Sequence, residues 1–325
     1  MAALHTPSRH LSRWLLAGAA ALALQAAQAA PYPGDKPIRF LCLSVAGSSL
    51  DVMARSVGKE LGDELKQAIV VDNKPGGTGA VGMATAKNLP ADGYTLVTAT
   101  GSTSFMMADP KSAYKPEDFV FLRGLQAEPS AVAVPKDSPY RTLKDLVDAL
   151  RATPDKVSVG GFAVAGFHQY VYYRLQQAAG FKNVWIPFDG GNQAVTALLG
   201  EHIQAAIITP SSAIPQLQAG NIRLLGISTA KRDTYFPDVP TFKEQGYDVV
   251  EMLWRGVMVK AGTPPEVMKT LNTAFDRMEA RPEWQQFQKS NLQTSMGLSV
   301  DQMQKHVATE VASRRKFLAE IGAIK

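Results

Sequence analysis

Residues 38–72 read IRFLCLSVAGSSLDVMARSVGKELGDELKQAIVVD. An apolar, β-branched run gives way to small residues. A stretch with helical spacing follows, and a second apolar run closes the segment. Strand, small-residue turn, helix and strand is the repeating unit of an α/β fold. Nine further runs repeat or extend the pattern: AIVVD at its end, then YTLVTAT, FVFLRG, AVAV, KVSVGGF, NVWIPF, AAIIT, RLLGIS and WRGVMVK. Helical patterns such as TLKDLVDALRAT, HQYVYYRLQQAAG and NQAVTALLG fall between many of them. Near-continuous apolar strands indicate mainly parallel sheets covered on both faces by helices.

Length and pattern predict two lobes. From TPPEVMKTLNTAF onward the chain becomes almost entirely helical, as if returning to a lobe begun earlier. AVAVPKDSP and WRGVMVKAGTPP share an apolar strand, a lysine and a proline-bearing turn, and mark the crossings. The predicted division is a signal peptide over 1–29, one lobe from 30–132 with 257–325, and a second from 133–256.

Arg9, His10 and Arg13 precede the apolar run Trp14 to Leu24, which ends at Ala27-Gln28-Ala29. That order reads as a secretory signal, too short and wrongly flanked to span a membrane, with cleavage before Ala30 and delivery to the periplasm. Loss of Arg9 and Arg13 lowers the formal net charge from +5 to +3. Basic residues are scattered among acids, so nucleic acid is not an expected partner. The single cysteine, Cys42, lies in an apolar run and reads as core. No later segment is long and apolar enough to span, and a soluble mature protein is expected.

Gly77-Thr78-Gly79-Ala80-Val81-Gly82 matches the dinucleotide pattern G-x-G-x-x-G. Its context does not: NKP separates it from the preceding strand, and TGSTS stands where a ribose-binding acid belongs. No G-x-S-x-G occurs, and His168, His202 and His306 have no metal-ligand spacing. No catalytic residue, metal or cofactor is expected.

Small residues recur where a strand meets a helix. Gly47-Ser48-Ser49 precedes a helix starting near Asp51, Gly160, Gly161, Ala165 and Gly166 precede one near His168, and Gly190-Gly191 precede a third. Each leaves backbone N–H groups free at a helix N-terminus, on the strand edge where α/β sheets bind ligands. Such N-termini attract anions.

In this light the chain resembles the periplasmic receptors of tripartite tricarboxylate transporters, the Bug family. AGSSLDVMAR is similar to its P-G-G-x-x-D-x-x-A-R element, with Ala46 for proline and Ser48 for the second glycine. VVDNKPGGTGAVGMATAKNLPADGYTL, IPFDGGNQAVTALLGEHIQAAI and RDTYFPDVPTFKEQGYD follow its later blocks in order. The glycine-rich stretch is then a receptor loop. The resemblance implies a two-lobed periplasmic binding protein fold, type II-like, with a hinged central cleft. It implies a small carboxylate held between the lobes and passed to membrane transporter subunits. A monomer is expected.

Carried over by position, the first lobe offers Ser44, Ala46, Gly47, Ser48 and Ser49, and the second Phe162, Val164, Ala165, Gly166, Phe167 and His168. Thr100, Ser102, Phe188, Gly190 and Thr209 are expected cleft neighbours. Gln204 stands where the family has an acid, which argues against an amino-acid ligand. Phe162, Phe167, Phe188 and Trp254 would wall an alkyl chain or a ring. No fixed cation stands in these loops, so an uncharged ligand stays open. Two other readings share the residues: an exported α/β hydrolase using Ser48, and a ligand sensor.

Overall fold

The computed structural model describes residues 32–324, apart from the Thr78 side chain. The signal segment and its cleavage point lie outside the described residues. All ten apolar runs are strands. In chain order the elements are β1 (Ile38–Cys42), α1 (Ser49–Leu65), β2 (Ile69–Asn73), α2 (Ala80–Asn88), β3 (Thr95–Thr100), α3 (Gly101–Ala108), β4 (Phe119–Pro129) and β5 (Ala131–Pro135). Next come α4 (Leu143–Ala152), β6 (Val159–Phe162), α5 (Phe167–Ala179), β7 (Trp185–Phe188), α6 (Gly191–Leu199), β8 (Ala205–Ile208), α7 (Ile214–Gln218) and β9 (Ile222–Ile227). The chain ends with β10 (Met252–Lys260), α8 (Pro265–Ala280), α9 (Pro282–Ser290) and α10 (Val300–Glu320).

The strands form two five-stranded sheets, ordered β2-β1-β3-β10-β4 and β7-β6-β8-β5-β9. Both are mixed. β1 runs parallel to β2 and β3, and β6 parallel to β7 and β8. The strands next to the crossings pair antiparallel: β10 with β3 and β4, β5 with β8 and β9. Four of the five strands in each sheet therefore share one direction, in keeping with the mainly parallel sheets read from apolar continuity, and only β10 and β5 oppose it. A strand returning from the other sheet enters in the opposite sense, yet is just as buried, so hydrophobicity does not reveal its direction.

Local chemistry explains the helices. α4 buries Leu143, Leu146, Val147 and Leu150 at helical spacing, each contributing roughly 1.5–3 kcal/mol of apolar burial. It starts at a capping box in which Thr142 Oγ1 accepts from the Asp145 N–H at 3.1 Å while Asp145 accepts from the Thr142 N–H at 2.9 Å. Thr100 caps α3 and Ser299 caps α10 in the same way.

The crossings are short. Only Ser130 separates β4 from β5. Ala131 pairs with Ile208 and Ile227, at the C-terminal ends of β8 and β9, and Pro129 pairs with Met252 at the start of β10. The C-terminal edges of β1, β3 and β4 in one sheet are thereby set next to those of β6, β7 and β8 in the other. Ser228 binds the crossing: its hydroxyl accepts from the Ser130 N–H at 2.8 Å and donates to the Glu251 carbonyl, while its N–H donates to the Ser130 carbonyl at 2.9 Å.

A second join lies along helices. Phe105 of α3, Tyr170 and Tyr173 of α5 and Phe317 of α10 pack ring against ring. Arg314 is buried over Tyr170, 3.8 Å from the ring centre, and pairs with Glu251 at 3.0 Å and Glu310 at 3.1 Å. Residues 37–325 form one compact unit.

Ser228→Ala removes the acceptor of a buried N–H at the crossing. Urea unfolding should show a loss of about 1–3 kcal/mol; an unchanged midpoint would show that the hydroxyl contributes nothing there.

Candidate functional site

On the first sheet the turn after β1 is pinned from behind by Asp51. Its carboxylate accepts from the Gly47 N–H at 2.8 Å, Arg55 Nε at 2.9 Å and Asn73 Nδ2 at 2.9 Å. Burial alone would raise the Asp51 pKa; the hydrogen bonds from Arg55, Gly47 and Asn73 outweigh it and hold the carboxyl below its ordinary value. Asn73 also donates to the Ser44 carbonyl at 3.0 Å. Gly47 has φ +79°, the left-handed region that glycine adopts at little cost. Ser48 caps α1 through the Asp51 N–H at 3.2 Å, and Ala46, Gly47 and Ser49 are exposed. The N–H groups of Ala46, Ser49 and Leu50 have no acceptor among the described residues. Beside this turn, Thr100 accepts from the Ser102 N–H at 2.9 Å, and Ser102 is partly buried.

On the second sheet the turn from β6 to α5 is strained. Ala163 (φ +66°) and Ala165 (φ +52°) both hold left-handed backbone, at a cost of roughly 1–2 kcal/mol each. Gly166 begins α5 with no side-chain cap. The Ala165 N–H is taken by Gln169 Oε1 at 2.6 Å, whereas those of Gly166, Phe167, His168 and Gln169 have no acceptor among the described residues. Gly190 opens α6, also without a side-chain cap. Thr209 is buried, its carbonyl accepting from the Ser212 hydroxyl at 2.6 Å. Phe162 and Phe188 are partly exposed and Val164 is exposed.

Two of the expected wall aromatics are core residues. The Phe167 ring is buried, leaving its backbone N–H at the helix end. Trp254 is 0% exposed and donates Nε1–H to Glu310 at 2.9 Å. Gln204, at the position of the family's acid, accepts from the Ser158 N–H at 2.8 Å and hydroxyl at 2.6 Å, and so ties β8 to the start of β6.

His168 is buried, and its Nδ1 accepts from the Phe162 N–H at 3.4 Å. An accepting Nδ1 puts the proton of the neutral ring on Nε2, which is buried without a partner. Burial, with the Arg255 guanidinium nearby, pushes the ring down to about 3. Arg255, Gln126 and Glu128 were not anticipated. The signals were there: an arginine inside the apolar WRGVMVK, and polar residues at alternate positions in LQAEPS. Hollows elsewhere, by Lys59, Asp63 and Lys66 and by Arg123, Asp276 and Glu279, include none of the site residues, and Arg123 is already paired with both acids.

Two mixed sheets flanked by helices, with small-residue turns opening helices on adjoining strand edges, are the architecture of a two-lobed solute-binding protein. The chain belongs to the tripartite tricarboxylate transporter receptor family, whose model, described as "Tripartite tricarboxylate transporter family receptor", matches residues 53–323. It is 30% identical to protein BugT of Bordetella pertussis, over 91% of this chain and 93% of that protein. A UPF0065 protein of Bordetella bronchiseptica is 32% identical, over 84% of this chain and 82% of that one. Among solved structures, R. palustris Rpa4515 with adipate superposes with a TM-score of 0.79 at 25% identity, covering 90% of this chain and 98% of its own. The motif resemblance and these comparisons agree.

The depressed His168 pKa has a sign that can be tested. Between the ordinary value of 6.5 and about 3 the unfolded chain binds a proton that the folded chain refuses. Stability therefore falls as pH falls through that window. Urea unfolding at pH 7 and pH 4.5 should show a smaller loss on acidification for His168→Gln than for the wild type; equal losses would mean that the imidazole titrates normally.

Proposed function

We propose that this chain is a non-catalytic periplasmic receptor, released from its signal peptide before Ala30, that captures a small aliphatic or aromatic carboxylate as a monomer and delivers it to a tripartite tricarboxylate-type membrane transporter. The lobes are residues 30–132 with 257–325, and 133–256, and they hinge about the strand crossings. The observation that carries this reading is the uncapped start of α5, where four consecutive N–H groups lack an acceptor among the described residues, at the meeting of the two strand edges. A helix N-terminus of this kind binds a carboxylate without a cationic side chain. The starts of α1 and α6 supply further donors, while Phe162, Phe188, Val45 and Val164 supply apolar surface. Adipate in the R. palustris relative supports the ligand class. Ser48, the one hydroxyl considered as a nucleophile, is engaged as a helix cap and bonded to no histidine among the described residues.

Thermal unfolding of the protein from Ala30 onward against aliphatic, hydroxy, amino and aromatic carboxylates tests the proposal. A carboxylate at 100 times its Kd should add about 2.7 kcal/mol, a shift of a few degrees. No shift with any carboxylate, or product formed from a bound one, would overturn it.

A further inference from the structure

A row of polar side chains crosses the first sheet where it meets the second. Arg255 of β10 is the register partner of Thr100 on β3 and of Gln126 on β4. Register partners share a face, and alternation puts Gln126, Glu128 and Ser130 on that face together. A bulge at Arg255/Gly256 lies beside the row; a Cβ on Gly256 would come 1.9 Å from the Arg123 carbonyl oxygen, so only glycine fits. Bulges of this kind re-aim side chains near binding sites. Trp254, on the opposite face, packs toward α10.

These side chains are deeply buried yet incompletely bonded. Gln126 is 0% exposed, Glu128 1%, His168 4% and Arg255 7%. Arg255 Nη1 donates to Glu128 Oε1. Neither end of the Gln126 amide, nor Glu128 Oε2, Ser130 Oγ or His168 Nε2, has a partner among the described residues. Among the described residues Glu128 is the one hydrogen-bonding partner of Arg255. Buried polar groups in folded proteins are nearly always partnered, and a concentration of open ones at the junction of two sheets points to a ligand.

The charges select its chemistry. Arg255 and Glu128 cancel, and the His168 ring is neutral with a hydrogen to give from Nε2. A second carboxylate would lie against Glu128 Oε2, and an ammonium against Arg255. A group that is uncharged and both gives and accepts hydrogen bonds offends neither. We infer that Arg255, Gln126, Glu128 and His168 form a subsite for a primary carboxamide, so that the preferred ligand is a carboxylic acid bearing an amide at its far end. The amide oxygen accepts from Arg255 and His168 Nε2; its NH2 donates to Glu128 Oε2 and Gln126 Oε1. This rests on the receptor reading above, in which the carboxylate end meets the helix N-termini.

Matched pairs of equal length test it by titration calorimetry on the mature protein: succinamate with succinate, and adipamate with adipate. In the wild type the amide should bind at least about tenfold tighter than its diacid in one pair. Glu128→Gln leaves the arginine charge uncancelled and should shift that ratio at least about tenfold toward the diacid. If Glu128→Gln fails to fold by circular dichroism, Gln126→Met, which keeps the volume, should weaken the amide about tenfold and move the diacid less. Diacids bound as well as amides, a ratio untouched by the variants, or binding only by panel carboxylates outside both pairs would overturn the inference and leave the receptor reading standing. If nothing in the panel or the pairs binds, the receptor reading falls and the inference with it.

Discussion

The rest of the molecule depends on one short crossing. Because Ser130 alone joins β4 to β5, the two sheets cannot drift apart or present unrelated edges to each other. Ser228 and Glu251 lock the returning chain beside it through buried hydrogen bonds. The C-terminal edges of the strands in both sheets are therefore neighbours by connectivity, before any side chain is considered. α/β proteins put their ligand-binding turns on those edges, so the crossing brings two sets of such turns together.

The halves are built differently. Around α1 the loop is self-supporting: Asp51 gathers Gly47, Arg55 and Asn73, and the backbone is held without strain. Around α5 the loop spends conformational energy, with two left-handed alanines and an uncapped helix start. Strain that nothing local relieves is found where a surrounding structure over-determines a functional turn. Alongside these turns stand buried polar groups, Gln126, Glu128 and Arg255 on the first sheet and His168 at the start of α5. The arginine is held by an acid and the histidine kept neutral, so the site combines strong donors with no net side-chain charge.

Much of this was legible in the sequence, because periodicity reports burial. All ten strands and the start points of α1, α5 and α6 follow from apolar runs and small residues. Strand direction was not legible: β10 is as apolar as β3, yet runs against it. The loop residues from Ser44 to Ser49 and from Phe162 to His168 sit at helix starts because glycine and hydroxyl residues specify such turns. Phe167 and Trp254 show the limit, since an aromatic in the core and one on a wall have the same local pattern. Arg255 and Glu128 escaped notice for the converse reason. Their importance comes from a register between strands more than a hundred residues apart in sequence, which no local pattern encodes.

The insertion of β10 between β3 and β4 has a consequence for the order of assembly. The second sheet is drawn from one continuous stretch, Ala131 to Ile227, and can form as soon as that stretch is available. The first sheet cannot: its centre is filled only when residues from Met252 onward arrive, and α10 covers it last. Closing such distant contacts is slow, because chain entropy is lost before the contacts that compensate for it are made. A chain with this wiring stays incompletely folded until α10 has been synthesised.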